Sequence, residues 1–123
     1  SLLLSKNQIT MAGLSDLFNN SSCEVLYVDN NKITMFPLIQ HNSPLLTLVL
    51  TGNKVETLPS SLNLIFPLLS QLMLDNNLLG DQALTALSAL VTLKLLSIKG
   101  NPHITDKEKS TFRETHSIPY LRM

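Results

Sequence analysis

Side chains able to do covalent or acid–base chemistry are few in this chain, and they do not gather. Cys23 is its one cysteine. An intrachain disulfide and a cysteine-built zinc site are both excluded. Cys23 also sits where a repeated apolar pattern calls for a small buried residue, so a reactive thiol is the weaker reading. His41, His103 and His116 fall in three separate segments. No His/Asp/Glu group has the spacing of metal ligands. Gly52, Gly80 and Gly100 stand alone at turns and compose no phosphate-cradling loop. Ser, Thr and Asp follow no triad or nucleophile-elbow pattern. Asn19-Asn20-Ser21-Ser22 contains two overlapping glycosylation sequons, which turn composition explains equally well. These residues point to a protein that is not an enzyme, with no metal and no cofactor.

The polar residue with regular spacing is asparagine. Asn7, Asn31, Asn53, Asn77 and Asn101 are separated by 24, 22, 24 and 24 residues. Five residues before each stands Leu2, Leu26, Leu48, Leu72 or Leu96, and three before stands Leu4, Val28, Leu50, Leu74 or Ile98. A further apolar residue lies eight before (Cys23, Leu45, Leu69, Leu93) and another two after (Ile9, Ile33, Val55, Leu79). The last copy has His103 at that place and Ile104 next. The alternating triplet reads as a short strand with one buried face. A carboxamide both donates and accepts, so it can satisfy a sharp turn from inside. Stacked copies would place the five asparagines in a ladder, each copy burying its leucines against its neighbours.

This L-x-x-L-x-L-x-x-N-x-L pattern resembles the leucine-rich repeat family over almost the whole chain. The resemblance implies an α/β solenoid: a parallel sheet on the concave face, with short helices and irregular returns on the convex face. It divides residues 1–123, a single domain, into five repeats over 1–102 and a helical C-terminal cap over 103–123. Asn101-Pro102, Phe112-Arg113 and Pro119-Tyr120-Leu121 resemble the caps of intracellular members. The Leu2–Leu4 strand has nothing visible to cover it. More repeats or a partner are expected at that edge, and the chain reads as a fragment lacking its N-terminal cap.

The returns differ from one another. Ala83, Leu84, Leu87 and Leu90 have helical spacing with Asp81 as N-cap, while Leu14, Leu17 and Phe18 predict a shorter helix. Pro37 and Pro59 predict returns that are irregular or helical for only a turn. Thr105 and Glu108 form an S/T-x-x-E capping box before a helix over about 106–116.

The formal net charge is +0, which gives no electrostatic argument for nucleic acid or an acidic membrane. No apolar run approaches the ~18 residues of a membrane span. Lys32 and Lys54, each after an asparagine, read as a solvated edge.

What remains is surface. Strand residues between the leucines point away from the core. One column is Leu3, Tyr27, Val49, Met73 and Ser97, with Val25, Thr47, Gln71 and Leu95 on one side and Ser5, Asp29, Thr51, Asp75 and Lys99 on the other. The central column is apolar in four of its five members, where the repeat does not require it. A contiguous exposed apolar patch marks a contact site. The family resemblance implies recognition of a protein partner on this concave face by a cytoplasmic or nuclear adaptor or scaffold. Two other readings stay open. One is an extracellular or cell-surface module carrying glycan on Asn19 or Asn20. The other is the substrate-recognition part of a larger enzyme.

Overall fold

The computed structural model describes residues 2–5, 8, 9, 11–19, 22–36 and 42–123. Asn7, Asn20, Pro37 and His41 lie outside the described residues. The chain is α/β. Its strands are β1 (Leu2–Leu3), β2 (Val25–Tyr27), β3 (Thr47–Val49), β4 (Gln71–Met73), β5 (Leu95–Ser97) and β6 (Tyr120–Arg122), and its helices are α1 (Met11–Phe18), α2 (Leu62–Ile65), α3 (Ala83–Ser88) and α4 (Asp106–Thr115). The six strands form one parallel sheet in chain order. In register, Leu2, Leu26, Leu48, Leu72, Leu96 and Leu121 lie side by side. Pairing continues past the strands: Val28, Leu50 and Leu74 donate their N–H groups to the carbonyls of Val49, Met73 and Ser97 in the following strands, at 2.8–3.0 Å.

The core lies between the sheet and the returns. Leu26, Leu48, Leu72 and Leu96 are fully buried there, as are Val28, Leu50, Leu74 and Ile98. The returns add Leu14 and Phe18 from α1, Leu62, Ile65 and Phe66 from and after α2, and Leu84 and Leu87 from α3. Phe18, Phe36 and Phe66 pack ring against ring at centroid distances of 5.1–6.2 Å, tying three successive returns together. Leu2, Leu4 and Ile9 at one end of the stack are only half-buried, and so are Ile118, Leu121 and Met123 at the other. Ile104 is buried and His103 exposed, so the core position shifts by one residue in the last copy.

Three local expectations are corrected. The segment 103–123 is not only helical: Tyr120–Arg122 adds a sixth strand, beside β5. The α1 helix, at 8 residues, is longer than α3, at 6, rather than shorter. Asp81 does not cap α3, whose N-cap is Gln82 with no side-chain bond. Its carboxylate reaches across one turn of chain, accepting from the Thr105 N–H at 2.8 Å and from the Thr105 hydroxyl. That changes the capping box. The Thr105 hydroxyl accepts from the Glu108 N–H at 3.3 Å, while the bond Glu108 would return to Thr105 is made by Asp81. A carboxylate held in place by another part of the fold satisfies the helix start as well as a local glutamate would. The helix α4 ends at Thr115, and Phe112, its buried residue, stacks on His116 at 4.3 Å.

Candidate functional site

The turn after each strand is built by asparagine. Asn31, Asn53, Asn77 and Asn101 are buried. Each Nδ2 donates to the carbonyl three residues earlier in its own strand, at Val28, Leu50, Leu74 or Ile98 (2.8–3.0 Å). Each also donates to the equivalent carbonyl one turn of chain earlier, at Leu4, Val28, Leu50 or Leu74 (3.0–3.1 Å). Each Oδ1 accepts from an N–H of the earlier turn, at Ile9, Ile33, Val55 or Leu79 (3.0–3.2 Å). One amide thus closes its own turn and fastens it to its neighbour. The residue just before each of these asparagines has positive φ: Asn30 (57°), Gly52 (75°), Asn76 (56°) and Gly100 (71°). Glycine alternates with asparagine for a steric reason. A Cβ on Gly52 would collide with Oδ1 of Asn30, and one on Gly100 with Oδ1 of Asn76.

This scaffold fixes the outward face. By register, Leu3, Tyr27, Val49, Met73, Ser97 and Arg122 form its central column, and Val25, Thr47, Gln71, Leu95 and Tyr120 form the column at the strand entrances. The strand exits carry Ser5, Asp29, Thr51, Asp75 and Lys99. The face is uneven. Leu3 is 72 % exposed and Tyr27 38 %, but Val49 is only 5 % exposed and Ser97 0 %. The expected contiguous exposed patch is therefore interrupted at Val49, and Ser97 beyond it is buried too. Val49 is buried although it is not a member of the main core cluster. Among the other named residues, Val25, Thr47, Met73, Asp75 and Leu95 are half-buried, while Gln71 and Lys99 are exposed.

The acidic side chains of the exit column are held by neighbouring strands. Ser5 Oγ donates to Asp29 Oδ1 at 2.5 Å, and Asn30 Nδ2 donates to Asp29 Oδ2 at 3.1 Å. Ser97 Oγ and the Lys99 N–H both donate to Asp75 Oδ1, at 2.6 and 2.9 Å. Between them, Thr51 Oγ1 is buried without a hydrogen-bond partner. Sequence reasoning missed four residues of this face and its rims: Glu24 and Lys94 at the strand entrances, and Tyr120 and Arg122 of β6. Tyr120 and Arg122 follow Pro119 in a segment without the asparagine signature, which hid the strand.

Other surfaces offer less chemistry. A cleft of about 310 Å³ is lined by Glu56, Thr57, Gly80, Asp81 and Gln82 among others, but the Asp81 carboxylate there is committed to Thr105. Cys23 is buried, with Sγ 3.5 Å from the Val25 carbonyl. Among the described residues, no group of three or more His, Cys, Asp or Glu could hold a metal ion, and no helix is long and apolar enough to cross a membrane. No protein-family model matches the chain, and comparison with curated proteins gives no match either.

Proposed function

We propose that this chain is a leucine-rich repeat solenoid that recognises a protein partner on the outward, concave face of its sheet. In this reading residues 1–102 are five repeats and 103–123 their cap. The protein acts as a non-enzymatic adaptor or scaffold in the cytoplasm or nucleus. The repeat reading is supported by four asparagines making the same three contacts one turn apart. The observation that carries the recognition surface is the apolar run Tyr27–Val49–Met73 on three adjacent strands of the outward face, exposed at Tyr27, half-buried at Met73 and buried at Val49. Strands lie about 4.8 Å apart, so the three side chains form one strip that a single segment can cover.

The test replaces Tyr27 by Ala and Met73 by Ser together. Photo-crosslinking from the Gln71 position in native extract identifies the bound protein, and titration measures its affinity for both forms. Aromatic anchors near an interface centre dominate its energy, at roughly 2 kcal/mol or more, so affinity falls about thirtyfold. An unchanged affinity with an unchanged melting curve rejects the sheet face as the site.

A further inference from the structure

We infer that the outward face reads the order of charges along its partner. It takes a helix lying across the strands, with a basic group toward β2–β4, an acidic group toward β5 and β6, and apolar side chains against Tyr27 and Met73. The inference rests on the sheet face being the recognition surface, and it adds what the partner must look like.

The charges of the face are sorted by strand. At the exits, Asp29 follows β2 and Asp75 follows β4, whereas Lys99 follows β5. At the entrances, Glu24 precedes β2 and Lys94 precedes β5, and both are exposed. These entrance residues share one rim. The Glu24 carbonyl accepts from the Leu46 N–H, that of Leu46 from Ser70, and that of Ser70 from Lys94. Both rims therefore run from acid to base in the same direction, and Arg122 extends the basic end to β6. Within the acidic half, β3 carries no charge: its outward residues are Thr47, Val49 and Thr51. Lys32 and Lys54 come after the ladder asparagines, where the chain has left the sheet. Two opposite fields side by side on one face favour one orientation of a bipolar ligand and disfavour a uniformly charged one.

A helix suits this face better than an extended segment. The backbone groups of β2 to β5 are already paired with neighbouring strands, so they have none to offer a ligand's backbone. A helix satisfies its own N–H and C=O groups and needs only side-chain contacts. From β2 to β5 is three strand steps, about 14 Å. On a helix that separation is roughly 9–10 residues.

The test is a display library of helical peptides about 18 residues long, ~27 Å end to end. It is panned on the whole chain, and each binder is re-measured on two variants and by sedimentation. Support takes the following form. Binders are lost on the Tyr27→Ala, Met73→Ser chain and carry Lys or Arg separated from Asp or Glu by roughly 9–10 residues. Glu24→Lys with Asp29→Lys then weakens them about fivefold or more at low salt, and less at high salt. Asp29 also bonds Ser5 and Asn30, so Lys94→Glu with Lys99→Glu provides the same reversal at exposed side chains. Binders that need Tyr27 and Met73 but carry one sign of charge, or none, overturn the charge order and leave the sheet-face reading standing. Binders indifferent to Tyr27 and Met73, or no binders, overturn both. Self-association abolished by either charge reversal makes a second copy the occupant and overturns the helical partner.

Discussion

Asp75 and Asn77 are two residues apart, and the columns they belong to obey different rules. The ladder column is Asn at Asn31, Asn53, Asn77 and Asn101, and each member makes the same contacts to within a few tenths of an ångström. The exit column reads Ser5, Asp29, Thr51, Asp75 and Lys99, and its bonds differ at every step. Inside the stack each asparagine meets the same neighbours, so one side chain solves the problem every time. An outward residue meets solvent or a partner, and repetition places no demand on its identity. The variable column is therefore where recognition can be written without disturbing the fold.

The strongest way to break this contrast is at the ladder. Asn53→Ala leaves the Ile33 N–H without its partner and takes one of two donors from the carbonyls of Val28 and Leu50, which keep Asn31 and Asn77. The expected loss is about 1–3 kcal/mol, the cost of one unmet buried donor together with the weakened carbonyl bonds. Urea unfolding checks it through a lower midpoint at an unchanged slope. A shift within error would remove the asparagines from the account of stability.

A smaller loss is expected at the glycine that alternates with asparagine. Gly100→Ala meets two obstacles, a positive φ and the Oδ1 of Asn76. The left-handed conformation alone costs an L-residue about 1–2 kcal/mol. Asn76→Gly in the same chain clears the steric part, so the double-variant cycle should couple by about 0.5 kcal/mol or more. Zero coupling would mean that the two side chains do not compete for the same space.

The ladder, the core leucines and the parallel order were legible in the sequence because periodicity repeats what packing repeats. Asn30, Gly52, Asn76 and Gly100 stood in the sequence as a second periodic signal at half the frequency. That signal becomes readable only when adjacent turns are considered as pairs. Asp81 is a different kind of miss: as a cap it obeys a local rule, and Thr105, 24 residues on, competes successfully for its carboxylate. The burial of Val49 was not legible, because an alternating pattern assigns a residue to a face and not its exposure there. The candidate face was legible as columns, then, but not in the exposure of their members.

Asp81→Ala sharpens the contrast within the inward-facing elements. It should cost about 1 kcal/mol, the usual worth of a helix cap. The loss should be local. Amide exchange in Asp106–Thr115 speeds up while exchange in β2 to β4 stays unchanged, because the strands at the other end share no bond with this carboxylate. Equal acceleration everywhere would mean that α4 unfolds only with the whole chain.

The smallest effect, and one of opposite sign, is expected at Thr51, two residues from Asn53. Its hydroxyl is buried and unpaired, while Asp29 and Asp75 on either side take their hydrogen bonds from Ser5 and Ser97, on the strands away from it. Valine has nearly the same shape and carries no group that needs a partner. Replacing an unmet buried hydroxyl by a methyl removes a desolvation cost without opening a cavity, so Thr51→Val should leave stability unchanged or raise it by up to about 1 kcal/mol. Ser97→Ala, one strand beyond Asp75, should instead lower it by about 1 kcal/mol, because that hydroxyl is buried and bonded at 2.6 Å. The paired urea melts need no partner and no knowledge of function. If Thr51→Val proves as damaging as Asn53→Ala, the hydroxyl has a partner in solution. The exit column would then belong to the fold as firmly as the ladder does, and the case for reading it as free recognition surface would go with it.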